Sequence, residues 1–117
     1  MKAILINVHD ETVRQVEVDK KKTLKDMYRH IGCSMVEVGH NFHHKADSVY
    51  VDEEGLFTMN DDSKFFSIEG GHQPFIGNGL VMGINFTNGE SVDHHISVDE
   101  VRAKVKFHTL SEVRSMV

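Results

Sequence analysis

Histidine is the residue type in this chain with the most obvious chemistry, because a neutral imidazole ring is a common zinc ligand. His40, His43 and His44 lie close together, and His94 and His95 form a second pair. A zinc site needs three or four ligands that converge on the metal. The first cluster therefore gives one hypothesis for function, a metal-dependent hydrolase that uses His40, His43 and His44.

The sequence around these histidines lacks the other parts of a zinc motif. There is no HExxH sequence and no pair of cysteines. Adjacent residues of a strand point to opposite faces, so two neighbouring histidines cannot both contribute from an extended backbone. The alternative interpretation is a loop of exposed histidines. We expect no bound metal and no cofactor.

The residues best suited to hold a ligand lie in one run, GGHQPFIGNGLVMG, at positions 70–83. The run contains five of the nine glycines and the only proline of the chain. Glycine allows positive φ angles and close approach to the backbone, and the amides of such a loop can bind an anion. The spacing fits neither a dinucleotide-binding fingerprint nor a P-loop, and a shaped turn that leads into a buried strand stays open as the alternative. The predicted ligand-binding residues are Gly70, Gly71, His72, Gly77, Asn78 and Gly79.

No pattern of residues predicts nucleophilic or carboxylate catalysis. Cys33 follows Gly32 at the end of a predicted helix, where the helix dipole raises the pKa of a thiol. No serine lies in a Gly-x-Ser-x-Gly context, and the acidic clusters at 52–54 and 61–62 lack the spacing of a calcium loop. We predict no catalytic residue, and the pattern favours a binding protein over an enzyme.

Length, charge and cysteine content limit the classes of protein. The 117 residues fit a single domain, which we place at 1–117. The formal net charge of −5 argues against direct binding to nucleic acid or to a membrane, since both favour basic surfaces. A single cysteine excludes an internal disulfide and favours a reducing compartment. The apolar N-terminal stretch is too short for a signal peptide or a membrane span, so we expect a soluble, cytoplasmic protein.

Apolar segments of short length predict a mostly antiparallel sheet. Residues 65–68 fit either a strand or the end of a short helix. The Asn88-Gly89 pair predicts a tight hairpin between the last two strands. The other strands are predicted at 2–8 and 13–18, which form a hairpin, and at 35–38, 47–52, 80–86 and 91–93.

Two short helices complete the prediction. The first has Thr23 as its N-cap and ends at Gly32, which takes the left-handed conformation. The second begins after Ser97, and Glu100 three residues later indicates a capping box. Residues 111–117 are expected to form a short tail. Because strands and helices do not alternate regularly, we predict an α+β fold with a mostly antiparallel sheet and two short helices.

Five segments spread along the chain resemble one family. They are MKAILIN at 1–7, IGC at 31–33, VYVDEEGL at 49–56, QPFIGNGLVMG at 73–83 and SVDEVR at 97–102. On these segments the chain resembles a family of small phage-encoded domains of unknown function. The resemblance implies an origin in a bacteriophage or mobile element and a setting in the host cytoplasm. It implies no particular activity.

Three functions fit the sequence. The first is a non-catalytic accessory protein of phage type that binds a host protein or a small, anionic, nucleotide-like molecule. The second is the metal-dependent hydrolase. The third is a homo-oligomeric structural protein, with Phe42, Phe57, Phe65 or Phe66 in the interface between copies.

Overall fold

The fold is described by a computed structural model for residues 1–42, 46–71 and 73–116, which contain nine strands and three α-helices. The strands are β1 (Lys2–Asn7), β2 (Thr12–Glu17), β3 (Val36–Asn41), β4 (Asp47–Asp52), β5 (Lys64–Ile68), β6 (Phe75–Ile76), β7 (Gly79–Ile84), β8 (Ser91–Val92) and β9 (Val105–Thr109). The helices are α1 (Thr23–Ile31), α2 (Val98–Lys104) and α3 (Leu110–Ser115). No helix in these residues is long and apolar enough to cross a membrane.

The nine strands form two sheets. The large sheet has the order β2-β1-β7-β4-β3, and β8 also pairs with β7. The small sheet has the order β6-β5-β9. Every pairing is antiparallel. The predicted α+β fold with mostly antiparallel strands is confirmed.

The burial of β1 on both faces explains why its sequence is continuously apolar. Side chains alternate along a strand, so Ala3 and Leu5 face one side of the large sheet while Ile4 and Ile6 face the other. All four residues are at most 4% exposed. Helix α1 packs on the first side, and the small sheet together with α2 packs on the second. The large sheet is therefore the middle layer of the fold.

Signals that act within a few residues gave correct predictions. Gly32 ends α1 in the left-handed conformation, with φ = 82°. Ser97 caps α2, and its Oγ accepts a hydrogen bond from the Glu100 N–H at 3.0 Å. Only this half of the capping box predicted at Ser97 and Glu100 is present. A complete capping box is found at Thr109 and Glu112, where α3 starts.

The structure differs from the prediction at the start of α1 and in the segment after α2. Thr23 is the first residue of α1 and not its cap, and the entry to α1 is held by Asp26, whose Oδ2 accepts from the Asp19 N–H at 2.8 Å. Helix α3 replaces most of the tail predicted at 111–117 and adds a third short helix, and strand β9 precedes it where no strand was predicted. Strand β9 forms because Val105 and Phe107 pack on the core while the backbone pairs with β5. These contacts come from residues distant in the chain.

Candidate functional site

The glycine run does not converge on one point. Strand β6 lies within the run and pairs with β5. The Gly77 N–H donates to the Lys64 carbonyl at 2.9 Å, at the start of β5, whereas the Gly71 N–H donates to the Ile68 carbonyl at 2.8 Å, at its end. Two of the amides that were predicted to bind an anion therefore already donate hydrogen bonds within the protein. His72 lies outside the described residues.

Asn78 lies in the interior, although the sequence marked it as a ligand-binding residue. It is 8% exposed. Its Oδ1 accepts from the Val8 N–H at 2.9 Å, and its Nδ2 donates to the His30 carbonyl at 3.4 Å. The amide therefore joins the end of β1 to α1, and we assign it a structural role.

Three glycines of the run are required by the fold itself. Gly70 and Gly77 have φ angles of 88° and 78°, which side chains rarely tolerate. A Cβ on Gly79 would lie 2.5 Å from Cζ of Phe66, so the ring requires a glycine there. These observations favour a shaped turn, and ligand binding by the whole run stays a prediction.

The middle of the run lines an open groove of about 600 Å³. The glycine run forms one wall of the groove. The end of β4 and the turn that follows it form a second wall, and α3 forms a third. The floor is apolar. It is made by the buried or half-buried residues Val51, Phe65, Phe75, Ile76, Leu110 and Val113. The volume and the apolar floor are typical of a binding site.

Exposed apolar side chains surround the mouth of this groove. Leu56 and Met59 line it and are 75% and 43% exposed, and Met116 on the α3 side is 56% exposed. Phe57, the neighbour of Leu56, is 87% exposed. Single exposed apolar residues are common, but a contiguous group beside a groove indicates an interaction surface.

The charges at the groove are mostly negative. Glu37, Asp52 and Glu53 line it, and Arg114 is its one cationic side chain among the described residues. None of these four groups forms an ion pair within the parts of the chain that the structure describes. The unpaired carboxylates give the groove a negative potential. We call this feature the acidic groove.

A second cleft, also of about 600 Å³, lies on the outer face of the small sheet. It is lined by Ser67, the Gly70-Gly71 turn, Lys104, Lys106 and His108, among others. The Ser67 Oγ and His108 Nε2 are 2.7 Å apart and share a hydrogen bond. The two glycines belong to the predicted site, but the basic and hydroxyl side chains were not predicted. We call this feature the basic cleft.

The histidine cluster that suggested a metal site is only partly described. His40 lies on β3 and packs edge-to-face on Phe42, with ring centroids 5.2 Å apart. His43 and His44 lie outside the described residues. Elsewhere in the chain, as far as it is described, no three His, Cys, Asp or Glu side chains converge as metal ligands. The metal site stays a prediction.

Cys33 is poorly suited to act as a nucleophile. Burial raises the pKa of its thiol, and the nearby Asp52 carboxylate raises it further. The predicted direction is correct, although burial and not the helix dipole is the main cause. Less thiolate forms at neutral pH, which slows attack on an electrophile.

Three of the four phenylalanines proposed for an interface between copies are in the core. Phe42, Phe65 and Phe66 are at most 5% exposed. They cannot contact a second copy without unfolding of the surrounding structure. Only Phe57 is on the surface, beside the acidic groove.

The fold defines a small α+β domain, and its sequence shows the family. Residues 1–106 match the family described as a domain of unknown function, DUF3846, and the chain belongs to that family. The predicted membership of a family of unknown function is confirmed, while the phage origin stays a prediction. The end of β9 and the whole of α3 lie beyond the matched residues, so His108 and the α3 wall of the acidic groove do too. No curated protein and no solved structure matches the chain significantly.

Proposed function

We propose that the protein is a non-catalytic binding protein, and that its acidic groove holds a basic, partly apolar segment of another protein. The observation that carries the proposal is the exposure of Leu56 and Phe57 beside an apolar groove with unpaired carboxylates. Aromatic side chains at such positions supply much of the binding free energy of protein interfaces.

The turn that presents these side chains is held in place against the groove. The Phe57 N–H donates to the Glu54 carbonyl at 3.0 Å, and the Thr58 hydroxyl donates to the Gly55 carbonyl at 3.2 Å. A Cβ on Gly55 would lie 3.2 Å from Cβ of Ile76, so the turn packs directly on the groove wall. A turn fixed in advance loses little conformational entropy when a partner binds.

The charge of the same segment selects the partner. Residues 52–62 contain five carboxylates, at positions 52, 53, 54, 61 and 62, and no lysine, arginine or histidine. A partner with lysine or arginine beside its apolar residues complements this charge, whereas an acidic partner is repelled. Electrostatic attraction of this kind also speeds association and weakens with added salt.

The proposal places this binding in the cytoplasm of a cell that hosts a bacteriophage. Cys33 is the only cysteine, and a free thiol fits a reducing compartment. The resemblance to phage-encoded domains supports the setting. The partner is then a host protein.

The test uses synthetic peptides and fluorescence anisotropy. One peptide alternates lysine with leucine or phenylalanine, a second replaces every lysine with glutamate, and a third replaces every apolar residue with serine. We expect only the first to bind measurably, with an affinity that falls as salt is added, because it alone supplies both the charge and the apolar contacts.

Two pairs of variants connect the binding to the acidic groove. Phe57→Ala is expected to weaken binding about tenfold, whereas Phe86→Ala is expected to have no effect. Phe86 is a matched control because it is similarly exposed, at 82%, but lies away from the groove. It follows the end of β7 that pairs with Asp47, whereas the groove lies at the opposite end of β4. Glu53→Lys should weaken binding and Glu90→Lys, near Phe86 in the chain, should not. Equal binding of the lysine and glutamate peptides, or equal effects of the two phenylalanine variants, would contradict the proposal.

A further inference from the structure

The basic cleft is formed by the outer face of the small sheet, and the function proposed for the acidic groove does not use it. In the β5–β9 pairing, Ser67 lies opposite Lys106, and Phe65 lies opposite His108. Alternation along a strand puts Lys106 and His108 on the same face. The other face carries Val105 and Phe107, which pack on the core. Alternation along β9 therefore gathers Lys106 and His108 on one side of the small sheet.

The lysines of this cleft outnumber its carboxylates. Lys104 and Lys106 form no ion pair within the described residues. Glu69 is the only carboxylate that lines the cleft in the described parts of the chain. In a protein with a net charge of −5, two unpaired ammonium groups in one cavity mark a local positive potential.

The hydrogen-bonded pair Ser67 and His108 places a hydroxyl and an imidazole in the same cavity. At 2.7 Å it fixes the hydroxyl and the imidazole relative to each other across two strands. When the His108 Nε2–H donates to the Ser67 Oγ, the hydroxyl hydrogen is free to donate to an anionic oxygen. Two ammonium groups, a hydroxyl and an imidazole match the charge and the hydrogen-bond acceptors of a phosphate monoester.

We propose that the basic cleft binds the phosphate monoester group of a small molecule, with Lys104 and Lys106 as its cationic partners. The His108 Nε2–H donates to the Ser67 Oγ, which leaves the Ser67 hydroxyl to donate to a phosphate oxygen. The apolar surface of Pro74 lines the same cleft and contacts the rest of the ligand. The side chains, and not the glycine amides, hold the anion, because the Gly71 N–H already donates to Ile68. The volume of about 600 Å³ fits a small molecule.

The test is a titration followed by ¹H–¹⁵N NMR, with inorganic phosphate and, separately, with adenosine monophosphate at constant ionic strength. We expect saturable shifts at the amides of residues 67–71 and 104–108, with the nucleotide binding more tightly because it adds apolar contacts. Lys104→Gln and Lys106→Gln should each weaken nucleotide binding about tenfold, the effect of losing one charged partner.

Control variants separate this proposal from general charge effects and from the acidic groove. Lys20→Gln and Lys21→Gln remove exposed lysines from the turn before α1 and should leave phosphate binding unchanged. Phe57→Ala should also leave it unchanged, so failure of either proposal does not affect the other. The unligated spectra of the variants show whether each has kept its fold.

Three outcomes would overturn the proposal. The first is a shift that grows linearly with phosphate and never saturates, which indicates an adventitious ion only. The second is unchanged nucleotide binding in a folded protein with both lysines replaced. The third is a phosphoserine peptide that binds far more tightly than the nucleotide, since this would assign the cleft to a phosphoprotein.

Discussion

The Asp47 carboxylate accepts a hydrogen bond from the backbone N–H of Ile96 at 2.8 Å, although 49 positions separate the two residues in the chain. Its other oxygen accepts from the His95 N–H at 2.9 Å. The Asp47 side chain is fully buried. One carboxylate thus ties the start of β4 to the segment that leads into α2.

The Asp47→Ala substitution is expected to lower the free energy of unfolding by about 3 kcal/mol, because it leaves two backbone N–H groups without their charged acceptor. Asp47→Asn keeps one carbonyl oxygen and should cost less. Denaturant melts followed by circular dichroism measure both values. Asp61→Ala, in an exposed turn, is the control and should change the free energy by less than about 0.5 kcal/mol. Equal effects of Asp47→Ala and Asp61→Ala would show that the buried carboxylate is not needed.

Two glycines of the run should respond differently to alanine. At Gly77 nothing lies within 4 Å of an added Cβ, but φ is 78°, so Gly77→Ala should cost about 1 kcal/mol through backbone strain. At Gly79 the added Cβ would lie 2.5 Å from Cζ of the fully buried Phe66, and overpacking should cost about 3 kcal/mol. Thermal or denaturant melts of the two variants rank them. A larger loss of stability for Gly77→Ala than for Gly79→Ala would contradict the close contact between Gly79 and Phe66.

Helix α2 offers a comparison between a cap and a core residue. Ser97→Ala removes the acceptor of the Glu100 N–H and should cost about 1 kcal/mol. Val101 is fully buried, and Val101→Ala should cost about 2 kcal/mol or more because it leaves a cavity. Ser111→Ala, at an exposed position of α3, serves as a control in the same melts. Negligible effects at both Ser97 and Val101 would mean that α2 does not pack on the sheet.

Stability should fall in acid partly through Asp93. A hydrogen bond from the Lys2 N–H, 2.7 Å from Oδ1, lowers the pKa of this carboxyl from its usual value of 3.8. A lowered pKa in the folded state adds stability above 3.8, and this stability is lost as the pH falls through the lowered value. The difference in stability between the wild type and Asp93→Asn should therefore be present near neutral pH and vanish in strong acid.

Denaturant melts at a series of pH values measure this difference. Asp61→Asn is the control, because Asp61 lies in an exposed turn and its carboxylate accepts no hydrogen bond from the described residues. If the wild type and Asp93→Asn lose stability in parallel at every pH, the hydrogen bond from Lys2 does not contribute.

Features that depend on a few neighbouring residues could be predicted from the sequence alone. The φ angle at Gly32 follows from the absence of a Cβ, and the cap at Ser97 follows from a hydroxyl placed three residues before a free N–H. The bounds of β4 agree with the strand predicted at 47–52. The same local patterns were sufficient to predict the α+β class.

Which residues share a surface could be seen only in the folded structure. The acidic groove joins Glu37, Asp52 and Arg114, and the hydrogen bond in the basic cleft joins Ser67 to His108 across 41 positions. Asn78 looked like a loop residue because the burial of its amide depends on contacts with Val8 and His30. Local sequence carries no record of such pairings, because the free energy that fixes them comes from burial and hydrogen bonds between distant segments.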